Sequence, residues 1–332
     1  MSRILLTGAT GFIGGRTALR LLDAGHEVSC PVRRSSDVLA RAGAVQLDGG
    51  LDAVTTDALA GVEVVVHAAA TVGPDLETGL AVNVEGTRRV LNACEQAGVP
   101  TLVHVSTTSV YDRPQHGDGP VTEETPLVEL ASEDAGVYAR TKAEAERVLT
   151  GDRAGLTAVA ILRPPAVLGA GPTSTWGQRI PERIRRGEAL PLQRGSTFAY
   201  VHADDLVDAI LAAAGLEIEA GHGAADPAGT AATAPPSTVS AGPAGAPTAL
   251  PRVANVVGGH VTVADYLDAV VDLLPARPPC QPGREETGWT GRFSSTQLPR
   301  LFGVAPYRSF ATGMAEIANA LTGPSTEQED SP

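Results

Sequence analysis

Three observations predict an α/β fold built on a doubly wound parallel sheet. Short apolar runs alternate with amphipathic stretches; a glycine-rich turn joins the first run to the first such stretch; and the chain has 332 residues of which 43% are hydrophobic. Strands that alternate with helix-length segments pair in parallel, with helices covering both faces. A glycine turn at the first strand-to-helix junction makes that sheet Rossmann-type. The length exceeds what one hydrophobic core serves, so a smaller C-terminal α/β region is expected beside it.

The elements follow in order. "RILLT", Arg3 to Thr7, is an apolar run stopped at Gly8 and reads as a buried strand. "FIGGRTALRLLDAG" places Phe12, Ile13, Leu19 and Leu22 at helical spacing, and Gly25 closes it. "HEVSCPV", "AVQL", "VEVVVHAA", "TLVHVS" and "LTAVAILR" are further strands, rich in β-branched residues. "TGLAVNVEGTRRVLNACEQAG" reads as one helix, and "VYARTKAEAE" as another. Beyond Arg163, "TSTWGQRIPERIRRGEAL", "ADDLVDAILAAAG", "TVADYLDAVVDLL" and "SFATGMAEIANAL" read as helices, with "FAYVH" and "RVANVVGG" as strands. Residues 1–163 are thus expected to form a dinucleotide-binding domain. Residues 164–322 form a substrate-binding region interleaved with it. Residues 217–251, dominated by Ala, Gly and Pro, lack the apolar side chains to order themselves and are expected to be a disordered insertion. Residues 323–332 read as a flexible acidic tail.

In "TGATGFIGG" the glycines Gly8, Gly11 and Gly14 are spaced GxxGxxG. Glycine there lets the backbone turn tightly and approach a pyrophosphate, with Thr10, Phe12 and Ile13 completing the turn and first helical residues. The helix N-terminus offers free N–H groups and partial positive charge to the phosphates. At the end of the second strand, where NAD binders place an acid, the sequence reads "PVRRSSD". Arg33 and Arg34 suit the extra 2′-phosphate of NADP(H), so NADP(H) is favoured over NAD(H).

Net charge is −13, which argues against nucleic acid and anionic membranes as partners. The three cysteines, Cys30, Cys94 and Cys280, are scattered, with no CxxC or Cys/His cluster, so neither a metal nor a disulfide framework is expected. No apolar run is long enough for a membrane span, and the opening run is too short for a signal peptide. A cytoplasmic setting is expected.

These residues resemble the extended short-chain dehydrogenase/reductases, the family of NAD(P)-dependent sugar epimerases, dehydratases and dihydroflavonol-reductase-like enzymes. "TGATGFIG", "VVVHAAA", "VNVEGTRRVLNAC", "VHVSTTSVY", "YARTK", "LRPPAVLGAG" and "YVHADDLVDAI" carry the resemblance, in the family's order. It implies that Tyr138 is the general acid or base and that Lys142, four residues on, lowers the Tyr138 pKa and holds the nicotinamide ribose. "STTS" offers four hydroxyls, Ser106 to Ser109. The family's catalytic hydroxyl stands four residues before the tyrosine at Tyr111, which selects Thr107. By the same resemblance Ala69 and Ala70 lie beneath the cofactor, Asp48 touches the adenine, and Pro164 and Val167 pass the nicotinamide carboxamide. Asn83 either holds the active-site strand or is a buried amide. His202 and Asp205 are structural, and His67 and His104 are satisfied core histidines.

The function implied is an NADP(H)-dependent oxidoreductase that reduces a ketone, or oxidises a secondary alcohol, of a small molecule. A nucleotide-sugar epimerase with NAD, or a 4-keto-sugar reductase, is the alternative. Ala166 stands where sugar-nucleotide enzymes of the family carry an asparagine, and Thr108 and Ser109 stand where dehydratases carry acids. A non-catalytic dinucleotide sensor is a third reading, disfavoured by retention of Thr107, Tyr138 and Lys142. A homodimer through the two long helices beside the active-site strand is in keeping with the family. A composition rich in Ala, Gly, Pro and Arg points to a high-GC bacterial source and, from there, to secondary metabolism.

Overall fold

The structure, a computed structural model, describes residues 1–113, 120–151, 157–217, 251–276, 278 and 281–322. Its strands are β1 (Arg3–Thr7), β2 (Glu27–Val32), β3 (Val45–Asp48), β4 (Val64–His67), β5 (Thr101–Val105), β6 (Ala158–Arg163), β7 (Ala166–Leu168), β8 (Thr197–His202), β9 (Arg252–Asn255) and β10 (Gly259–Thr262). Its α-helices are α1 (Phe12–Asp23), α2 (Asp37–Arg41), α3 (Leu76–Gly79), α4 (Gly86–Ala97), α5 (Val137–Thr150), α6 (Ile180–Arg185), α7 (Ala203–Ala213), α8 (Val263–Leu273), α9 (Gln297–Phe302) and α10 (Phe310–Thr322).

Seven strands form one sheet in the order β3-β2-β1-β4-β5-β6-β9, and every pairing in it is parallel. The apolar runs are unbroken because alternate residues of a strand feed different cores. Ile4 and Leu6 of β1 pack with Ala18, Leu21, Val28 and Leu206 on one face. Leu5 packs with Val90, Leu102 and Leu149 on the other. A strand buried on both faces has no position for a polar side chain, which is why the sequence showed runs rather than alternation. A second, three-stranded sheet runs β10-β8-β7, with β8 antiparallel to β10 and parallel to β7. It shares a core of Leu168, Phe198, Tyr266 and Met314 with α8 and α10.

Several elements differ from the sequence expectation. The stretch read as one helix is α3, a π-helical segment Leu80–Glu85, then α4, ended by Gly98 at φ +69. The wider turn puts the Asn83 side chain inside, at 1% exposure. The helix expected over "TSTWGQRIPERIRRGEAL" covers only Thr175–Arg185, because Gly187 at φ +70 stops it. "RVANVVGG" splits: β9 joins the large sheet beside β6, and β10 joins the small one. Residues 218–250 of the expected insertion, the tail from 323 to 332, and Cys280 lie outside the described residues. No described helix is long and apolar enough to cross a membrane.

Candidate active site and cofactor cleft

The turn between β1 and α1 leaves no room for side chains at two of its glycines. Gly8 has φ +76, and a Cβ there would lie 2.6 Å from the Ala69 nitrogen. A Cβ on Gly14 would lie 2.1 Å from the Gly8 carbonyl oxygen. The Gly11 N–H donates to that same oxygen at 2.9 Å. The loop therefore folds onto itself and onto the end of β4, which brings the start of α1 to the carboxyl ends of the strands. α1 has no side-chain cap and no acid in its first turn, so its N–H groups and positive dipole end stay available to an anion.

In front of this turn lies a cleft of about 890 Å³. Thr10, Gly11 and Phe12 line one part, Arg33, Arg34, Ser35 and Ser36 another, and Ala170 to Thr173 a third. No acidic side chain lines it. Arg33 and Arg34 are exposed and make no side-chain hydrogen bond or ion pair among the described residues. The third lining arginine, Arg16, is committed: it pairs with Asp204 at 2.9 Å and with Glu316, and donates to the Ala170 carbonyl at 2.8 Å.

Ile13 and Gly14 face the protein rather than the cleft, Ile13 against the core and Gly14 against Gly8. Asp48 ends β3, is exposed, and pairs with Val32, the residue before the cleft-lining Arg33, without itself lining the cleft. The expected glycine-aspartate-leucine is "LDGGLD" here; Gly49 and Gly50, at φ +114 and +60, turn the chain beside β2, with the Gly49 N–H on the Val32 carbonyl at 3.1 Å and Gly50 against the Arg33 side chain. Ala69 and Ala70 follow β4, with the Ala69 N–H donating to Thr7 at 3.3 Å. The Pro164 carbonyl accepts from the Thr108 N–H at 2.9 Å, and Val167 pairs with Val201 in β7.

Tyr138 and Lys142 are one turn apart on α5, which packs against the π-helical segment and against the turn after β5. Thr107 opens that turn, and its Oγ1 accepts from the Ser109 N–H at 3.1 Å. Lys142 is 1% exposed, and its ammonium donates to the Val105 carbonyl at 2.8 Å and to His104 Nε2 at 2.9 Å. Burial pushes the Lys142 ammonium down to about 8, against the pull of Glu146. Burial pushes the Tyr138 phenol up to about 12. The Lys142 ammonium gives both of these bonds to β5.

Asn83 does not hold the strand. Its side chain accepts from the Thr71 N–H at 2.8 Å, donates to the Thr71 carbonyl at 3.0 Å and donates to Thr141 at 2.9 Å. It ties the loop after β4 to Thr141 in α5. His67 is a satisfied core histidine, bonded to Thr7 at 2.7 Å and Thr87 at 3.0 Å. His104 is only half satisfied, since its Nδ1 has no partner among the described residues. His202 caps α7 and meets Glu316 at 3.0 Å, while Asp205 pairs with Arg308, so both join segments as expected.

One buried group of residues was not singled out from the sequence. Glu146, fully buried, receives the Arg163 guanidinium at 2.5 Å and the Ser106 hydroxyl. Arg163 donates on to the Tyr111 hydroxyl at 2.8 Å, and that hydroxyl donates to Asn255 at 2.6 Å. Burial alone would lower the Arg163 pKa, but the Glu146 carboxylate holds it above its ordinary value. The signal was present: Glu146 stands one turn beyond Lys142, on the face of α5 that starts with Tyr138.

A glycine-cradled helix start, an arginine-lined cleft and the Thr107, Tyr138 and Lys142 set on a parallel seven-stranded sheet define the class of extended short-chain dehydrogenase/reductases. The chain belongs to the NAD dependent epimerase/dehydratase family, whose model matches residues 4–223. Over 200 residues it is 36% identical to a 2-alkyl-3-oxoalkanoate reductase of Stenotrophomonas maltophilia, covering 58% of this chain and 59% of that protein. Over 226 residues it is 30% identical to a 3-beta-hydroxysteroid dehydrogenase of Mycolicibacterium neoaurum, covering 61% and 58%. The chain thus spans under two thirds of the length of these curated relatives. Among solved structures, the UDP-glucuronic acid 4-epimerase of Bacillus cereus, in complex with NAD, shares the fold with a TM-score of 0.70, 17% identity and coverage of 96% of this chain and 98% of that one.

Proposed function

We propose that the protein is an NADP(H)-dependent oxidoreductase that reduces a ketone of a small-molecule substrate to a secondary alcohol. The observation that carries this reading is the meeting of α5, with Tyr138 and Lys142 on one face, and the end of β5, with Thr107. The relatives named as a reductase and a hydroxysteroid dehydrogenase support carbonyl–alcohol chemistry over redox-neutral epimerisation. Ala166, where sugar-nucleotide enzymes carry an asparagine, supports it too.

The residues fit a dinucleotide. The free N–H groups at the start of α1, with Thr10 and the cradle of Gly8, Gly11 and Gly14, hold the pyrophosphate. Arg33 and Arg34, with Ser35 and Ser36 beside them, hold the 2′-phosphate, and the absence of acids from the cleft lining removes any repulsion. When bound, NADPH supplies a hydride to the carbonyl carbon. Tyr138 gives its phenolic proton to the carbonyl oxygen. A phenol pushed up to about 12 is protonated at neutral pH, the form a general acid must have. Thr107, whose hydroxyl donates only weakly to Ser109 at 3.3 Å, redirects that hydrogen to the same oxygen and shares its developing charge. Lys142 has three N–H bonds and gives two to β5, leaving one for the nicotinamide ribose.

The test is a screen of carbonyl compounds and keto-sugar nucleotides for NADPH oxidation, with Tyr138→Phe as the control. Loss of about 10²–10⁴-fold in kcat with nearly unchanged NADPH affinity is expected for removal of a general acid. Near-normal turnover by Tyr138→Phe overturns the assigned role. Tightly held NAD and no net turnover assign the epimerase instead.

A further inference from the structure

The two groups that hold Lys142 come from consecutive residues of β5, the His104 ring and the Val105 carbonyl. An ammonium has no lone pair, so His104 Nε2 must accept and the ring proton must sit on Nδ1. That Nδ1 is buried and has no hydrogen-bond partner among the described residues. A buried ring N–H left unpaired is unfavourable and rare. The ring cannot relieve it by changing tautomer without taking the acceptor from Lys142. His67 lies against His104 with ring centroids 5.2 Å apart, and both its nitrogens are taken by Thr7 and Thr87. His67 therefore packs the His104 ring in place without competing for Nε2.

We propose that His104 is the positioning residue for Lys142: its neutral imidazole clamps the ammonium against β5, keeps it charged, and leaves its third N–H for the cofactor. The proposal rests on the reading of Lys142 as the residue that holds the nicotinamide ribose. The charged and titratable groups around the pair are few. α5 itself contributes Tyr138 and Glu146; β4 contributes His67; β6 contributes Arg163, which is bound to Glu146. Burial first, then the Lys142 charge, hold the His104 imidazole well below its ordinary value. Burial also lowers Lys142, but only to about 8. Between these values the pair is one neutral ring and one ammonium, the combination the clamp needs.

Two variants separate the clamp from simple packing. His104→Phe keeps a ring of similar shape and removes the acceptor. His104→Gln places a carbonyl oxygen near the position of Nε2. Long-range ¹H–¹⁵N spectra of the unaltered protein report the tautomer: Nδ1–H is expected, and Nε2–H overturns the proposal. The ¹³Cε titration of Lys142 reports its charge. Its midpoint is expected to fall by about one to two pH units in His104→Phe, the scale of a hydrogen bond to a charged group, and to recover in His104→Gln. Equal midpoints in all three proteins overturn the clamp. With a ketone substrate, the alkaline limb of kcat should move with that midpoint while KM for the ketone changes little. If His104→Phe does not fold, the tautomer of the unaltered protein still decides. The spectra need no turnover, so a shifted midpoint without reductase activity would refute the proposed function and leave the clamp standing. Activity with an unmoved midpoint would do the reverse.

Discussion

Two clusters of charge, one buried beside Tyr138 and one at the cleft, are built oppositely. Lys142 and Glu146 of α5 and Arg163 of β6 are at most 4% exposed, and each has its partners fixed by the fold. At the end of β2, Arg33 and Arg34 are exposed and have no side-chain partner among the described residues. A buried charge must be paired, so the α5 cluster is part of the architecture and is tuned by it. An exposed, unpaired arginine at the mouth of a cleft keeps its donors for a ligand. The contrast predicts that damage to the first cluster appears in stability or pH profile, and damage to the second in affinity for one cofactor.

The sharpest break of that comparison is Arg163→Met. It leaves the Glu146 carboxylate buried with the Ser106 hydroxyl as its remaining side-chain donor. Removing one partner of a buried ion pair costs about 3–5 kcal/mol. Urea unfolding should show a loss of that order, and the double change Arg163→Met with Glu146→Leu should recover much of it. A loss below about 1 kcal/mol in the single variant would show that solvent reaches the pair, and the contrast with Arg33 would lapse.

Much of this was legible before the structure, for physical reasons that differ by element. The parallel sheet could be read because a strand buried on both faces, such as Leu5 between Ile4 and Leu6, admits only apolar residues. The glycine turn could be read because steric exclusion at Gly14 is absolute. Arg33 and Arg34 could be read because exposed charge at a known strand end has few other uses. What escaped depended on long-range contact. Lys142 turns to His104 across 38 positions, and Arg163 links Glu146 to Tyr111 and Asn255. Spacing along one helix gives no sign of which way an ammonium leans, so the bonds of Lys142 to His104 and Val105 were not foreseen. The π-helical turn at Asn83 escaped likewise, since its apolar pattern fits an ordinary helix.

A second effect sits between the clusters, where α10 closes on the cleft wall. Glu316 receives His202 at 3.0 Å, the Ala170 N–H at 2.8 Å, and Arg16. Burial alone would raise its carboxyl, but these donors hold it down at about 2, from an ordinary value of 4.5. A depressed carboxyl stabilises the fold fully above its unfolded value. That stability is lost as pH falls from about 4.5 towards 2. With its side chain 29% exposed, screening reduces the effect to on the order of 2 kcal/mol. Glu316→Gln should flatten this part of the acid-unfolding curve; an unchanged curve would assign the acid sensitivity elsewhere.

The smaller test at the other cluster is Arg33→Ala with Arg34→Ala. Charge-assisted hydrogen bonds to a phosphate at an exposed site should make NADPH binding weaker by roughly ten- to a hundredfold. NADH affinity and the urea midpoint should barely move, and the NADPH penalty should shrink as salt rises. Equal losses for both cofactors would remove the 2′-phosphate assignment and leave the arginines as general attractors.

The smallest effect tests the variable behind the comparison. The Arg3 to Glu27 pair makes its contact at 3.0 Å, against 2.5 Å for Arg163 to Glu146, and its side chains are 62% and 50% exposed. The chemical groups are the same, but the buried pair is forked and sealed from solvent while the surface pair has one contact in water. Water screens the charges and rehydrates whichever partner is left, so Arg3→Ala should cost less than about 1 kcal/mol in urea unfolding, and less still at high salt. A cost near that of Arg163→Met would mean that burial does not set the worth of these pairs. The division between an architectural cluster and a ligand-ready one would then have no physical basis.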